Sequence, residues 1–287
     1  MQFQMPSIIY TILLVCFLIF VNDAKSSSYM YEKSYDDDYK GCLKEREKEI
    51  TEHYLFHELN NSDFIYFVWE NASSIWESWM PEGLDSYTAI AVLAYTGEHM
   101  HYDFNVAVEK GVRDVTAEYF RSMHFLITKA IQSLKISDCM RTYRGISQEL
   151  RPKKGETFRF GRFASSSKYF EVAIGFGNET VFNITTCHGA DISEFSIFGN
   201  ESEVLIPPYE EFVVKETNGR YITLESNKVT VNYRCWPLSG DCPNLRLWPK
   251  YADPWSDDET ATGDEEEPSL TAEWLQGGSC PGRLFPD

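Results

Sequence analysis

An α+β fold, with a helical N-terminal half packed on a β-rich C-terminal half, is what this 287-residue sequence predicts, and three observations carry the prediction. Apolar residues recur at three- and four-residue steps from about residue 36 to residue 134. Short alternating or β-branched runs, separated by Gly, Pro and Asn, follow residue 139. The two textures are segregated along the chain, whereas a parallel sheet built of βαβ units would interleave them. A 43% apolar and 15% aromatic composition is enough for one sizeable core.

The chain opens on an apolar run of 14 residues, 8–21 (IIYTILLVCFLIFV), the length of a signal-peptide core and short of a membrane span. Residues 1–25 are therefore expected to be a signal peptide. Secretion fits the Asn-x-Ser/Thr acceptors at Asn60, Asn71, Asn178, Asn183 and Asn200. Beyond Cys16 in the leader, six cysteines remain, Cys42, Cys139, Cys187, Cys235, Cys242 and Cys280, an even set suited to three bridges in an oxidising compartment. No Cys or His spacing matches a zinc site, so no metal is expected. The C-terminus LQGGSCPGRLFPD lacks the apolar tail of a GPI signal, which predicts a secreted, extracellular product without a stable membrane anchor.

In the helical half, CLKEREKEI, SSIWESWM, SYTAIAVLAY, YDFNVAVEKGV and AEYFRSMHFLITKAIQSL read as amphipathic helices facing a core, with Ser86 as an N-cap and Gly97 as a terminator. The β half follows with TFRFGRFASSS, TVFNITTC, EVLIPP, EFVVKET, YITLES and KVTVNYRC. One folded domain, residues 36–240, is the expected unit. Residues 241–287 hold eleven acids against three bases, a net charge of 3 − 11 = −8, and read as a solvated, disordered tail, looped back if Cys242 pairs with Cys280. A net charge of −18 argues against nucleic acid as a partner and favours basic protein surfaces. No GxGxxG or GxxxxGK[ST] follows a strand, so neither a Rossmann nor a P-loop site is indicated.

Three stretches of the β half carry chemistry: TYRGI with Arg144, FGRFASSS with Ser165, Ser166 and Ser167, and ESEVLIPP with Glu201 and Glu203. Each alone fits a plainer reading, a surface arginine, a hydrogen-bonded strand edge and a wet acidic pair. In this order and company, they resemble the R-S-ExE signature of the arginine-specific ecto-mono-ADP-ribosyltransferases. The similarity extends upstream through the AYT, FN-AV and HFL-T-A segments of residues 86–146, and downstream through FGNETVFNITTCHGADISEFS and VLIPPYEEFVV, covering about residues 41–235.

The resemblance implies a two-sheet, NAD-binding β half and transfer of ADP-ribose from NAD to arginine side chains, with NAD as co-substrate and no permanently bound cofactor. It implies disulfides Cys42 to Cys235 and Cys139 to Cys187, each worth roughly 2–5 kcal/mol. Arg144, with its planar fork, is suited to grip the pyrophosphate, beside Gly145. Glu203 is suited to stabilise the oxocarbenium charge as nicotinamide leaves. Ser165 would orient Glu203 and the ribose, and Ser167 would join it at the cofactor. Glu201 would dock the acceptor guanidinium and take its proton, and the family ties this first acid to arginine specificity. Phe176 or Phe182 would stack on nicotinamide, though a core position suits either equally well. Arg162 stands where the family often has Gln. Asn200 is expected to stay unglycosylated because its turn is inaccessible, leaving Asn60, Asn71, Asn178 and Asn183 as glycan sites. The expected partners are basic, arginine-containing acceptor proteins of a monomeric enzyme. An NAD glycohydrolase and a catalytically silent secreted binding protein are the alternatives.

Overall fold

Helices come first because the apolar spacing of residues 43–134 gives most segments one face to bury and one segment, residues 86–96, apolar residues all round. The computed structural model describes residues 29–117, 119–135 and 137–236, so the expected leader, the acidic tail, Cys242 and Cys280 lie outside it. Helix α1 (Leu43–Glu49) passes through a π-helical turn (Ile50–Tyr54) into α2 (Leu55–Asn61), and α3 (Asp63–Trp79) follows. Ser62 caps α3 by accepting from the Ile65 amide, and Ile65, Val68, Trp69 and Ala72 form its buried stripe.

Helix α4 (Ser86–Thr96) is buried from Thr88 to Tyr95, all round, which makes it the central rod of the helical layer. Its N-cap is Asp85, not Ser86: the Asp85 carboxylate accepts from the Thr88 amide at 3.1 Å, and Ser86 is already the first helical residue. Gly97 ends it. Helices α5 (His101–Lys110) and α6 (Val112–Ala117) lead to α7 (Arg121–Leu134), which has no cap of its own. Buried Glu58, on α2, accepts instead from the Arg121 and Ser122 amides at 2.9 and 3.0 Å.

The β half contains β1 (Met140–Ile146), β2 (Thr157–Phe158), β3 (Ala164–Ser167), β4 (Thr180–Thr186), β5 (Ala190–Asp191), β6 (Glu203–Ile206), β7 (Glu210–Asn218) and β8 (Tyr221–Val229). It also holds a short helix, α8 (Phe170–Gly175), in a stretch where the sequence offered only strands. The strands form one hydrogen-bonded sheet, in the order β2-β7-β8-β4-β1-β3-β6-β5, with β4 and β8 parallel and all other neighbours antiparallel. The expected pair of sheets is thus a single one with a weak seam, because β1 and β3 pair only at Tyr143 and Ser167. The sheet folds over at this seam: Ala164 and Ile206 from one half share a core with Phe158, Phe182, Phe212, Val214, Ile222 and Leu224 from the other.

The two ends of the described segment are tied together. Cys42 bonds Cys235 across 193 residues, and Cys139 bonds Cys187. Beside the first bridge, Asp36, Asp37 and Asp38 are not the start of a helix but a clamp. Asp36 accepts from buried Arg159 at 2.7 Å and from the Asn232 and Tyr233 amides; Asp37 accepts from the Cys235 and Trp236 amides; Asp38 holds both prongs of Arg234.

Candidate active site

A cavity of about 820 Å³ opens where the seam lets β1 and β3 diverge beyond Tyr143 and Ser167. Residues of α4, α5, β1, β3 and the turn before β6 line it, and among them are Arg144, Gly145, Ser165, Ser167, Phe176, Glu201 and Glu203. Strands β1, β3 and β6 are consecutive neighbours in the sheet, which is why an arginine, a serine and a glutamate far apart in sequence share one wall.

Arg144 leaves β1 into the widening gap, with its guanidinium 6.0 Å from the centre of the Phe160 ring and one nitrogen donating to the Ser165 carbonyl oxygen. Burial pushes its pKa down, opposed by the charges of Tyr95 and Glu203, yet a guanidinium keeps its proton throughout the physiological range. Gly145 has a packing reason. A Cβ there would collide with the backbone carbonyls of Ala173 and Gly177, so only glycine lets α8 lie against β1.

Glu203, the first residue of β6, is 6% exposed, and burial raises its carboxyl above the ordinary value. Hydrogen bonds from Ser165 and from Ser196, at 3.1 Å, favour the ionised form, and Arg144 adds to them, while Glu201 opposes. Ser165 is itself tied to Tyr95, whose hydroxyl lies 3.4 Å away. Glu201 ends a turn of 3-10 helix (Gly199–Glu201) and is half-buried, and burial also raises its carboxyl. The left-handed conformation of Ser202, φ 48°, separates the two acids, keeping Glu201 on the turn while Glu203 enters the strand. Ser167, 3% exposed, donates to the Glu201 carbonyl at 2.6 Å and accepts from the Tyr169 amide, so its hydroxyl anchors the turn.

The two aromatic alternatives separate. Phe182 is wholly buried in the core opposite Arg144 in register, whereas Phe176 is 62% exposed at the cavity. Arg162 lines the same cavity and pairs with Glu109. Glu98, exposed on the loop after α4, lines it as well, next to the turn of residues 196–202, since Thr96 accepts from the Ile197 amide at 3.1 Å. Sequence reading missed Glu98, Tyr95 and Asn105 at the site, because a helix end and two core-helix positions carry no chemical spacing. Asn60, Asn71 and Asn178 are exposed and Asn183 is half-buried on the central strand β4. Asn200 is exposed, which overturns the expected inaccessibility of its turn. Among the described residues no group of three metal-ligating side chains occurs.

Residues 28–232 match the family model described as NAD:arginine ADP-ribosyltransferase. The chain is 34% identical to human ecto-ADP-ribosyltransferase 5, over 72% of its own length and 79% of the relative's. It is 35% identical to the erythroblast NAD(P)(+)-arginine ADP-ribosyltransferase of Gallus gallus, over 72% and 74%. Among solved structures it resembles the eucaryotic mono-ADP-ribosyltransferase ART2.2, with a TM-score of 0.67 at 31% identity, covering 72% of this chain and 96% of that one. A variant of that enzyme, solved in complex with NAD, matches with a TM-score of 0.66 at 30% identity, over 71% and 96%.

Proposed function

The chain belongs to the NAD:arginine ADP-ribosyltransferase family, and from that membership we propose that it cleaves NAD and transfers ADP-ribose to arginine side chains of proteins. The observation that carries the reading is the meeting of Arg144, Ser165, Glu201 and Glu203 at one cavity large enough for a dinucleotide's reacting half. Residues 36–240 are the proposed catalytic unit.

In the proposed reaction, Arg144 holds the pyrophosphate of NAD. The bond between ribose C1′ and the nicotinamide nitrogen breaks, and its electron pair departs with neutral nicotinamide. Positive charge then builds on the sugar beside ionised Glu203, in a site where burial strengthens the attraction. Ser196 holds the Glu203 carboxylate by a hydrogen bond, and the Ser165 hydroxyl nearby favours its ionised form. The acceptor guanidinium is docked by Glu201, which takes a proton as the arginine nitrogen bonds C1′; a carboxyl held above its ordinary value is better suited to that task. Phe176 is assigned to the nicotinamide ring, and Gly145 and Ser167 shape the site without needing to touch NAD.

The preferred acceptors are cationic. The support is the net charge of −18 and the carboxylates of Glu98 and Glu201, which join Glu203 on the cavity wall. Work outside the cell is supported by the relatives' names, which include a GPI-linked mouse enzyme; among the described residues no helix is long and apolar enough to cross a membrane. Incubation with labelled NAD and a basic arginine peptide should put label on the peptide, removable by arginine-to-lysine replacement. Free labelled ADP-ribose with unlabelled peptide would make water the acceptor and the chain a glycohydrolase. No nicotinamide release at all would leave a silent binding protein.

A further inference from the structure

Two of the upstream segments, AYT and FN-AV, look like core helix in the sequence, yet each places one polar side chain behind the reacting groups. Tyr95 sits in the last turns of α4, 2% exposed, with its ring edge-on to Phe104 and Phe163. Asn105, on α5 and 7% exposed, donates from its amide nitrogen to the Tyr95 hydroxyl oxygen at 3.0 Å. That oxygen lies 3.2 Å from the Phe163 carbonyl and 3.4 Å from the Ser165 hydroxyl. Ser165 and Glu203 face the same cavity as diagonal neighbours of β3 and β6, in the register Ser165–Leu205 and Ser167–Glu203, and the serine hydroxyl there favours the ionised carboxylate. Three elements are thereby linked in a row: α5 to α4 to β3, and β3 to the carboxylate of β6.

From this geometry we infer that Tyr95, held by Asn105, is a positioning residue for the reaction, acting through Ser165 to aim and ionise Glu203. The inference rests on the proposed transferase reading. Proton directions make the case. Asn105 fills an acceptor site on the Tyr95 oxygen, so the phenolic proton must point at the Phe163 carbonyl or at Ser165. With that proton aimed at Ser165, the Ser165 proton is directed to Glu203, where it favours the carboxylate; the Phe163 carbonyl, which can only accept, competes for the phenolic proton. The same strand segment is gripped at the Ser165 carbonyl by Arg144, so one serine links the phosphate anchor to the anion. A group buried this completely and bonded on three sides has a fixed position, as preorganised electrostatic stabilisation requires. The charged and polar groups facing Glu203 are Ser165, Ser196, Glu201 and Arg144; Tyr95 is within hydrogen-bond distance of the first alone, though it also feels the charges of Arg144 and Glu203.

The test is Tyr95→Phe, which removes one hydroxyl and keeps the ring, measured as nicotinamide release against pH in the full-length protein. The variant should lose between about tenfold and a hundredfold in kcat with KM for NAD unchanged within about twofold. The acid limb of its profile should move to higher pH, because the Ser165 hydroxyl that favours the ionised carboxylate is no longer held toward Glu203. Tyr95→Phe added to Ser165→Ala should cost no more than Ser165→Ala alone. If Tyr95→Phe does not fold, Asn105→Ala should move the acid limb in the same direction. A wild-type acid limb in both variants, or losses that multiply in the double variant, would overturn the inference. A wild type that releases no nicotinamide would instead overturn the transferase reading beneath it.

Discussion

Glu201 and Glu203 show how two like residues, two positions apart, come to differ in task. Strand alternation would place them on one face, but the left-handed turn at Ser202 keeps Glu201 on the half-exposed turn and sends Glu203 into the sheet. Their environments predict separable losses. Glu203→Gln removes the anion beside the developing charge and should cut both nicotinamide release and peptide labelling by at least about a hundredfold to a thousandfold. Glu201→Gln leaves that anion in place, so nicotinamide release should persist while arginine labelling falls by about a hundredfold or more. Equal loss of both readouts in both variants would contradict the division of roles. At this scale the sequence was legible where a motif exists, in Arg144, Ser165 and the acidic pair. Tyr95 and Asn105 were illegible, since a tyrosine or asparagine within a helical apolar pattern has the same spacing whether it fills a core or backs a site.

The elements follow the sequence where periodicity is long. Both α3 and α4 exist where apolar spacing predicted helices, but their faces differ from the expectation: α4, expected to be amphipathic, is buried all round, and the buried stripe of α3, Ile65 to Ala72, lies ahead of SSIWESWM, the segment read there. Helix α8 escaped because six residues are too few to show a period, and the Asp85 cap was displaced by one position from the expected Ser86. Caps supplied from a distance, such as Glu58 on α7, leave no local signal at all. Helix α7 also carries a titration that folding must answer for. His124 is fully buried, bonded to the Tyr35 carbonyl at 3.0 Å and to the Tyr39 hydroxyl at 2.7 Å, and burial lowers its pKa from 6.5 to about 3. Between those values the unfolded chain binds the extra proton, so the stability this neutral histidine contributes is full above pH 6.5 and is lost as the pH falls toward 3. The slope reaches up to about 1.4 kcal/mol per pH unit. Glu58, raised from 4.5 to about 7 by burial, has the opposite sign: its contribution falls as the pH rises between those values. His124→Gln should therefore lose less stability than the wild type in urea unfolding between pH 6.5 and pH 4, with the Glu58 slope common to both. Parallel stability profiles would refute the assignment.

At the scale of the whole molecule, the site exists because the sheet is nearly severed between β1 and β3 and folded over its own core. Alternating runs predicted the strands, but strand order depends on partners distant in sequence, and a one-pair seam has no sequence signature. The Asp36, Asp37 and Asp38 clamp was equally hidden: an acidic run reads as solvated unless the amides and arginines that bury it are known. Together with Cys42–Cys235 it fastens the first described segment to the last, closing the chain around the helical and β layers. The central claim is that this closure brings the arginine of β1, the serine of β3 and the acids around β6 to the sugar joined to nicotinamide. A crystal structure with a non-hydrolysable NAD analogue tests it most directly. The account predicts the pyrophosphate within hydrogen-bond distance of Arg144 and a Glu203 carboxylate oxygen beside the nicotinamide ribose; an analogue seated elsewhere, or with its ribose turned away from Glu203, would contradict it.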